Sequence, residues 1–381
     1  MKNALKKSNS IKDYIINTRH ELHRHPEPAF KENWTHDFIE KQLNNLGYKP
    51  KTLNKTGLTA DIGKGKKRIA LRADMDALPI REENSCLYKS ENKGYMHACG
   101  HDTHMAMLLG TAKLLSAEKK PPPVRLIFQP SEEKTPGGAK GMIEEGALKG
   151  VSEIYAIHIE PESEVGTLIL KPGVMLAAAD EMKITIKGKG GHAAEPHKTA
   201  DPIYASALFI NQTQSLVSRK AAPKSPFVIS ICTINGGTAF NIIPEEVKME
   251  GTVRTIEKEL WQKAPEWIAN ILKGLKVSYD IDYELAYRRG YPILRNDPLK
   301  TEELVKIAKS LFKNIQLMES PIMGGEDFAY YLQEVPGTFV FMGGANKKKG
   351  IHSKLHTPGF IIDENALPLG TALLYSLATK K

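Results

Sequence analysis

The residues best equipped for chemistry lie in one short stretch, His97-Ala98-Cys99-Gly100-His101-Asp102. Cys99 and His101 are two positions apart and carry a thiolate and an imidazole, two of the strongest metal-ligating side chains. Gly100 permits a turn tight enough to aim both at one centre. Asp102 is the expected orienter of His101, because a metal-bound imidazole needs a partner on its other nitrogen. An isolated Cys-x-His is as readily a turn around a buried thiol, so the weight rests on donors elsewhere. Asp74 and Asp76 lie in Arg72-Ala73-Asp74-Met75-Asp76-Ala77-Leu78-Pro79, and Glu132 and Glu133 in Gln129-Pro130-Ser131-Glu132-Glu133. His158 ends an apolar run, and His356 sits in Leu355-His356-Thr357-Pro358.

Cys99, His101, Glu133, His158 and His356 are about the number of donors that two neighbouring divalent ions need. The mixed thiolate, imidazole and carboxylate set suits zinc, manganese, nickel or cobalt without selecting among them. The adjacent glutamates invite a division of labour, one binding metal while the other takes a proton from the attacking water. Elsewhere a Glu-Glu pair would read as solvated helix-start charge; its place just beyond an apolar strand argues for chemistry. His97 and His104 flank the stretch as supporting or packing residues, and His352 lies close enough to His356 to exchange roles with it. His20, His23 and His25 read as surface residues of a helix.

The elements that position these groups alternate in type. A helix is expected from Ser10, as N-cap, to His25, and another from Trp34 to Leu46, stopped by Gly47. Strands at 58–62 and 68–71 are joined by Gly63-Lys64-Gly65; a helix at 103–115, a strand at 124–128, a short helix at 138–146 and a strand at 153–157 ending at His158 follow. Strands alternating with helices imply a mostly parallel sheet, whose ligand site lies beyond the carboxyl ends of its strands. Asp74, Asp76, Glu132, Glu133 and His158 would all gather there.

Near Asp180 the pattern changes. Met182–Lys187 alternates, Asp201-Pro202 opens a helix, strands follow at 227–234 and 247–254, then a helix at 257–273 and an alternating strand from Val277 to Tyr287. The order β-α-β-β-α-β is that of a ferredoxin-like domain. The expected organisation is therefore a catalytic α/β domain of residues 1–180 and 291–381 with an inserted α+β domain at 181–290. A helix after Asp297-Pro298, a strand at 338–342 and a helix at 367–378 complete the chain.

At 381 residues the chain suits two domains. Its 41% hydrophobic and 25% charged residues are ordinary for a globular protein. Three cysteines (Cys86, Cys99 and Cys232) are too few and too odd for a disulfide framework. With no apolar leader and no run of roughly 18–20 apolar residues, a cytoplasmic protein without membrane contact is expected. The net charge of +9 is spread thinly and forms no arginine-rich stripe, so no nucleic-acid partner is expected. Gly188-Lys189-Gly190-Gly191 lacks the strand-to-helix setting of a nucleotide loop, and no G-x-S-x-G supports a serine hydrolase.

The sequence resembles the bimetallic amidohydrolases that include aminoacylases, hippurate hydrolases, acetyl-diaminopimelate deacetylases and plant auxin–amino-acid hydrolases. The matching stretches, in family order over nearly the whole chain, are residues 71–79, 97–104, 129–138, 187–197, 236–244, 251–255, 324–328 and 356–360. The resemblance implies metal ligation by Cys99, His101, Glu133, His158 and His356, with Glu132 as general base. Asp76 matches an aspartate that orients a metal ligand in related peptidases; there a ligating histidine holds the place of Asp74, which leaves the division between the two aspartates open. His192 matches a residue that helps hold the tetrahedral oxyanion, sometimes across a dimer interface, and Asn241 and Arg254 match groups that hold a substrate carboxylate. The implied activity is metal-dependent hydrolysis of N-acyl amino acids, with a dipeptidase or carboxypeptidase as the alternative. A homodimer or homotetramer through the inserted domain is implied as well.

Overall fold

The computed structural model describes residues 2–380 and divides into two compact units. The first contains the chain up to Met175, Arg295–Ser320 and the chain from Asp327; the second contains Leu176–Leu294 and Pro321–Glu326. The division thus falls at Met175 and Leu294, and a short segment before Asp327 joins the second unit, which periodicity does not signal.

The first unit opens with α1 (Lys2–Ser10), α2 (Lys12–Arg24) and α3 (Asn33–Asn45). Ser10 is not an N-cap. It ends α1, where its hydroxyl donates to Lys7 O at 2.7 Å, and α2 starts after Ile11 without a side-chain cap. The helix-forming residues before Ser10 extend the pattern backwards, and Ala4 and Ser8 are buried there. Next come β1 (Lys51–Leu53), β2 (Gly57–Ile62), β3 (Arg68–Asp74), α4 (His101–Ser116), β4 (Val124–Gln129), α5 (Ala139–Glu144), β5 (Val151–Glu164), β6 (Thr167–Leu170) and β7 (Gly173–Leu176). Although β2 and β3 are consecutive, they do not pair: β4 lies between them, antiparallel to β2 and parallel to β3. The apolar run of β4 favours an inner position, buried on both faces. Likewise β5 does not stop at His158, because Ile159 is buried too and the strand Gly337–Ala345 pairs along it as far as Glu164.

The second unit contains β8 (Ala178–Lys187), β9 (Gly191–His192), α6 (Pro202–Ser215), β10 (Phe227–Gly236), β11 (Ile242–Ile243), β12 (Glu246–Thr255), α7 (Lys258–Tyr279) and β13 (Asp282–Tyr291). Its main sheet has the order β10-β12-β8-β13, with antiparallel neighbours throughout. Met182, Ile184 and Ile186 face its core while Lys183 and Lys187 are exposed, as strict alternation requires. The Asp201 carboxylate caps α6 by accepting from the amides of Ile203 and Tyr204. The expected strand from Val277 starts late. The buried stripe Leu260, Ala264, Ile268, Leu272 and Leu275 carries α7 through Tyr279, and Asp280, at φ 53°, ends it.

The return to the first unit adds β14 (Leu294–Asn296), α8 (Pro298–Ala308), β15 (Asn314–Leu317), α9 (Phe328–Glu334), β16 (Gly337–Ala345) and α10 (Ala366–Ala378). The large sheet has eight strands in the order β1-β2-β4-β3-β5-β16-β6-β15. Its central run β4-β3-β5-β16 is parallel, and antiparallel partners enter at the margins. Helix α4 packs against α2, α10 and β3 and is buried on every side from His101 to Ala112. A helix so enclosed is a rigid platform for whatever its first turn carries. Among the described residues, no helix is long and apolar enough to cross a membrane.

Candidate metal centre

Because β3 and β4 are parallel neighbours with Asp74 opposite Gln129, their carboxyl ends deliver Asp74, Asp76 and Ser131–Glu133 to one edge of the sheet. The first turn of α4 brings His101 to the same place. Gly100, at φ 85°, begins that helix, and a Cβ there would lie 2.3 Å from Ile159 Cγ2. Only glycine meets both demands.

His101 Nδ1 donates to the backbone carbonyl of Asp76 at 2.8 Å, which leaves Nε2 as the nitrogen that would face a metal once its proton is lost. That nitrogen is buried and makes no hydrogen bond; Asp74 Oδ2 and Glu133 Oε1 stand 3.7 and 3.8 Å away. His158 Nδ1 donates to Ile159 O at 2.7 Å, and its Nε2 lies 3.3 Å from Cys99 Sγ. His356 Nε2 lies 3.4 Å from the same sulfur and 3.3 Å from the buried Glu133 Oε1. His356 holds a left-handed backbone, φ 58°, which a non-glycine residue keeps only when its surroundings impose it. His352 is exposed and belongs to no such cluster among the described residues.

Among the described residues, Cys99 belongs to two groups of possible donors, one with His101 and His158 and one with Glu133 and His356, each within 4.8 Å; His101 also groups with Glu132 and Glu133, and with Asp74 and His104. The charge around them favours cations. Burial, then Glu133 and Glu132, push the Cys99 thiol well above its usual range. Burial alone would depress His101, but Asp74, Asp76 and Glu133 lift it to about 10. A carboxylate-rich pocket that retains protons on a thiol and an imidazole exchanges them for a divalent ion, which needs those ligands deprotonated. His158, buried and next to His104, is driven down to about 3 and is already neutral. The orphaned His101 Nε2, the buried Glu133 carboxylate and a shared soft ligand fit a pair of metal ions.

The aspartates divide their work. Asp76 accepts the amides of Glu132 and Glu133 at 2.8 and 3.0 Å, besides orienting His101 through its carbonyl. Asp74 is engaged by Arg72 Nη1 and His104 Nδ1, both at 2.6 Å, and His104 Nε2 accepts from Ile159 N. With both ring nitrogens occupied, His104 is a support for Asp74. Buried Arg72 also reaches Gln129 and Asp327. A charged residue inside a central parallel strand needs such partners, and its position between Leu71 and Ala73 was the available signal for them.

Asp102 does not orient His101. Adjacent residues of a helix point to different sides, and Asp102 instead accepts from Arg19 Nε and His23 Nδ1, both at 2.9 Å. His23 is therefore not a surface residue: it is 1% exposed, with Glu82 3.2 Å from its Nε2. Arg19 and His23, one helical turn apart on α2, present their charge to α4 rather than to solvent. Burial would raise the Asp102 carboxyl, but Arg19 and His23 hold it far below its usual range. The pair ties α2 to the first turn of α4, next to His101.

In the second unit, His192 on β9 pairs with Ile242 on β11, and the Ala193 amide donates to Asn241 O at 3.0 Å, so His192 and Asn241 are close neighbours. Both are exposed. Arg254 lies half-buried on β12 opposite Ala179 and Val228. A Cβ at Gly325 would come within 3.3 Å of Arg254 Nη1 and 2.6 Å of Ala179 Cβ, so the missing side chain makes room there.

The model of Peptidase family M20/M25/M40 matches residues 70–380. The chain is 40% identical over 391 residues to thermostable carboxypeptidase 2 of Saccharolobus solfataricus, covering 100% of this chain and 98% of that protein. It is also 40% identical over 376 residues to the N-acetylcysteine deacetylase of Bacillus subtilis, covering 96% of each. Among solved structures, a dinuclear metal-binding peptidase of family M20 from Bacillus subtilis superposes with a TM-score of 0.82 at 35% identity, covering 97% of this chain and 98% of that one.

Proposed function

Since the chain belongs to peptidase family M20/M25/M40 and is a metal-dependent amidohydrolase, we propose that it hydrolyses the amide bond of N-acyl amino acids, N-acetyl and N-benzoyl conjugates among them. The observation that carries this reading is the unequal placement of the tandem glutamates. Both group with His101, but only Glu133 also joins Cys99 and His356, and Asp76 fixes the amides of both.

Cys99, His101, Glu133, His158 and His356 would hold two divalent ions, which would supply Lewis acidity for the amide carbonyl and the attacking water. Glu132 accepts the proton of that water as its oxygen adds to the carbonyl carbon. It then returns the proton to the amine nitrogen as the C–N bond breaks, releasing a carboxylate and a free amino acid. Asp76 positions Glu132 through its amide, and Asp74 stays ionised between Arg72 and His104. His192 supports the developing oxyanion, and Arg254 and Asn241 bind the carboxylate of the amino-acid half.

Zinc or manganese in a cytoplasmic enzyme, with no nucleic-acid partner, completes the reading. The exposed Val228 and Ile234 on edge strand β10 favour a homodimer or homotetramer through the second unit. The carboxypeptidase relative keeps peptide hydrolysis as a second reading.

A substrate panel separates the two. N-acetyl and N-benzoyl amino acids should be cleaved with a higher kcat/KM than dipeptides. Their methyl esters, which lack the carboxylate, should lose roughly ten- to a hundredfold. Preference for peptides would move the assignment to a carboxypeptidase, and equal rates on acids and esters would remove Arg254 and Asn241 from substrate binding.

A further inference from the structure

Three consecutive amides of the loop that carries Glu132 are held by carboxylate oxygens. Ser131 N–H donates to Glu32 Oε1 at 2.9 Å, Glu132 N–H to Asp76 Oδ1 at 2.8 Å and Glu133 N–H to Asp76 Oδ2 at 3.0 Å. Asp76 belongs to the site by its sequence setting, whereas Glu32 lies 99 residues before Ser131.

Glu32 is 0% exposed. It occupies the N-cap position of α3 yet makes no side-chain cap bond. Glu27 performs that task instead, accepting from the amides of Trp34 and Thr35. The second oxygen of Glu32 accepts the Thr56 hydroxyl at 2.7 Å. Burying this carboxyl close to Asp76 is unfavourable; burial first, and Asp76 second, raise its pKa to about 7. A helix-start glutamate that does not serve its helix and tolerates such surroundings has another task.

That task is visible at Ser131, a non-glycine residue in the left-handed region at φ 54°. Such a conformation persists only where neighbours over-determine it. Glu32 holds the Ser131 N–H, and the Gly138 amide holds its carbonyl at 2.8 Å. Two contacts from Asp76 define an axis through the Glu132 and Glu133 amides but leave rotation about it. A third anchor on the preceding amide removes that rotation.

We propose that Glu32 is a positioning residue for amide hydrolysis, locking Ser131 in its left-handed conformation and thereby setting the direction in which the Glu132 side chain leaves the loop. The role rests on the reading of Glu132 as the proton carrier.

The test compares three variants of the metal-loaded full chain: Glu32→Ala, Glu32→Met, which keeps bulk without an acceptor, and Glu32→Gln, which keeps an oxygen for the Ser131 amide. For Ala and Met, kcat on an N-acetyl amino acid should fall about a hundredfold, the cost of a misplacement near 1 Å, with KM and both metals retained. Gln should recover to within a few-fold of wild type. A Met variant that folds and turns over at the wild-type rate would overturn the proposal. So would a Gln variant as slow as Met, or loss of metal in step with activity. Glu132→Gln is assayed alongside: its full activity would overturn the reading of Glu132, whereas a slow Glu132→Gln beside a fast Glu32→Met overturns the role of Glu32 alone.

Discussion

Glu132→Gln is expected to lower kcat by roughly 10²–10⁴-fold, the usual contribution of a positioned general acid–base group, while the enzyme still binds two metal ions. The substitution preserves shape and keeps an oxygen but removes the ability to take up a proton. The Glu132 amide remains held by Asp76, so the loop should not move. Glu133, not Glu132, contributes to the group with Cys99 and His356, so metal content should be unaffected. Steady-state kinetics together with elemental analysis of the same sample check both halves. Loss of metal alongside activity would show that the two glutamates have exchanged roles.

The second large effect is expected at Cys99. Its sulfur lies 3.3 Å from His158 Nε2 and 3.4 Å from His356 Nε2, and it belongs to two of the three-residue donor groups. Cys99→Ala removes a ligand from two ions at once. Bound metal should fall below one ion per chain where wild type holds two, and hydrolysis should fall to background. His356→Ala removes a donor from only one of the groups that contain Cys99 and should leave one ion bound. Elemental analysis after equilibration at a fixed free metal concentration distinguishes these outcomes. Equal metal loss in both variants would show that Cys99 is not shared.

The contrast between local and distant information explains what could be read in advance. Cys99 and His101 are two residues apart around a glycine, and their convergence is a property of that short segment alone. The ends of β3 and β4 follow from apolar runs flanked by carboxylates, so Asp74, Asp76 and the tandem glutamates could be placed on one edge before any strand order was known. The strand order itself was not legible, because nothing between Ile62 and Arg68 announces that β4, some sixty residues on, will separate β2 from β3. Helix facing failed for a related reason. The period of α2 correctly groups its residues, but whether the face with Arg19 and His23 meets water or Asp102 depends on where α4 packs. Glu32 shows the limit most clearly: its local pattern is that of a helix cap, and its contact with Ser131 exists only once the chain has folded.

Removal and return of metal shows whether hydrolysis depends on two bound ions. The purified protein is stripped with a chelator, then titrated with Zn²⁺, Mn²⁺, Co²⁺ or Ni²⁺ while release of free amino acid from an N-acetyl amino acid is followed. The expected result is no hydrolysis by the stripped protein and recovery that saturates at two ions per chain. Hydrolysis that survives complete removal of metal, or a chain that binds no divalent ion at all, would contradict the assignment of Cys99, His101, Glu133, His158 and His356.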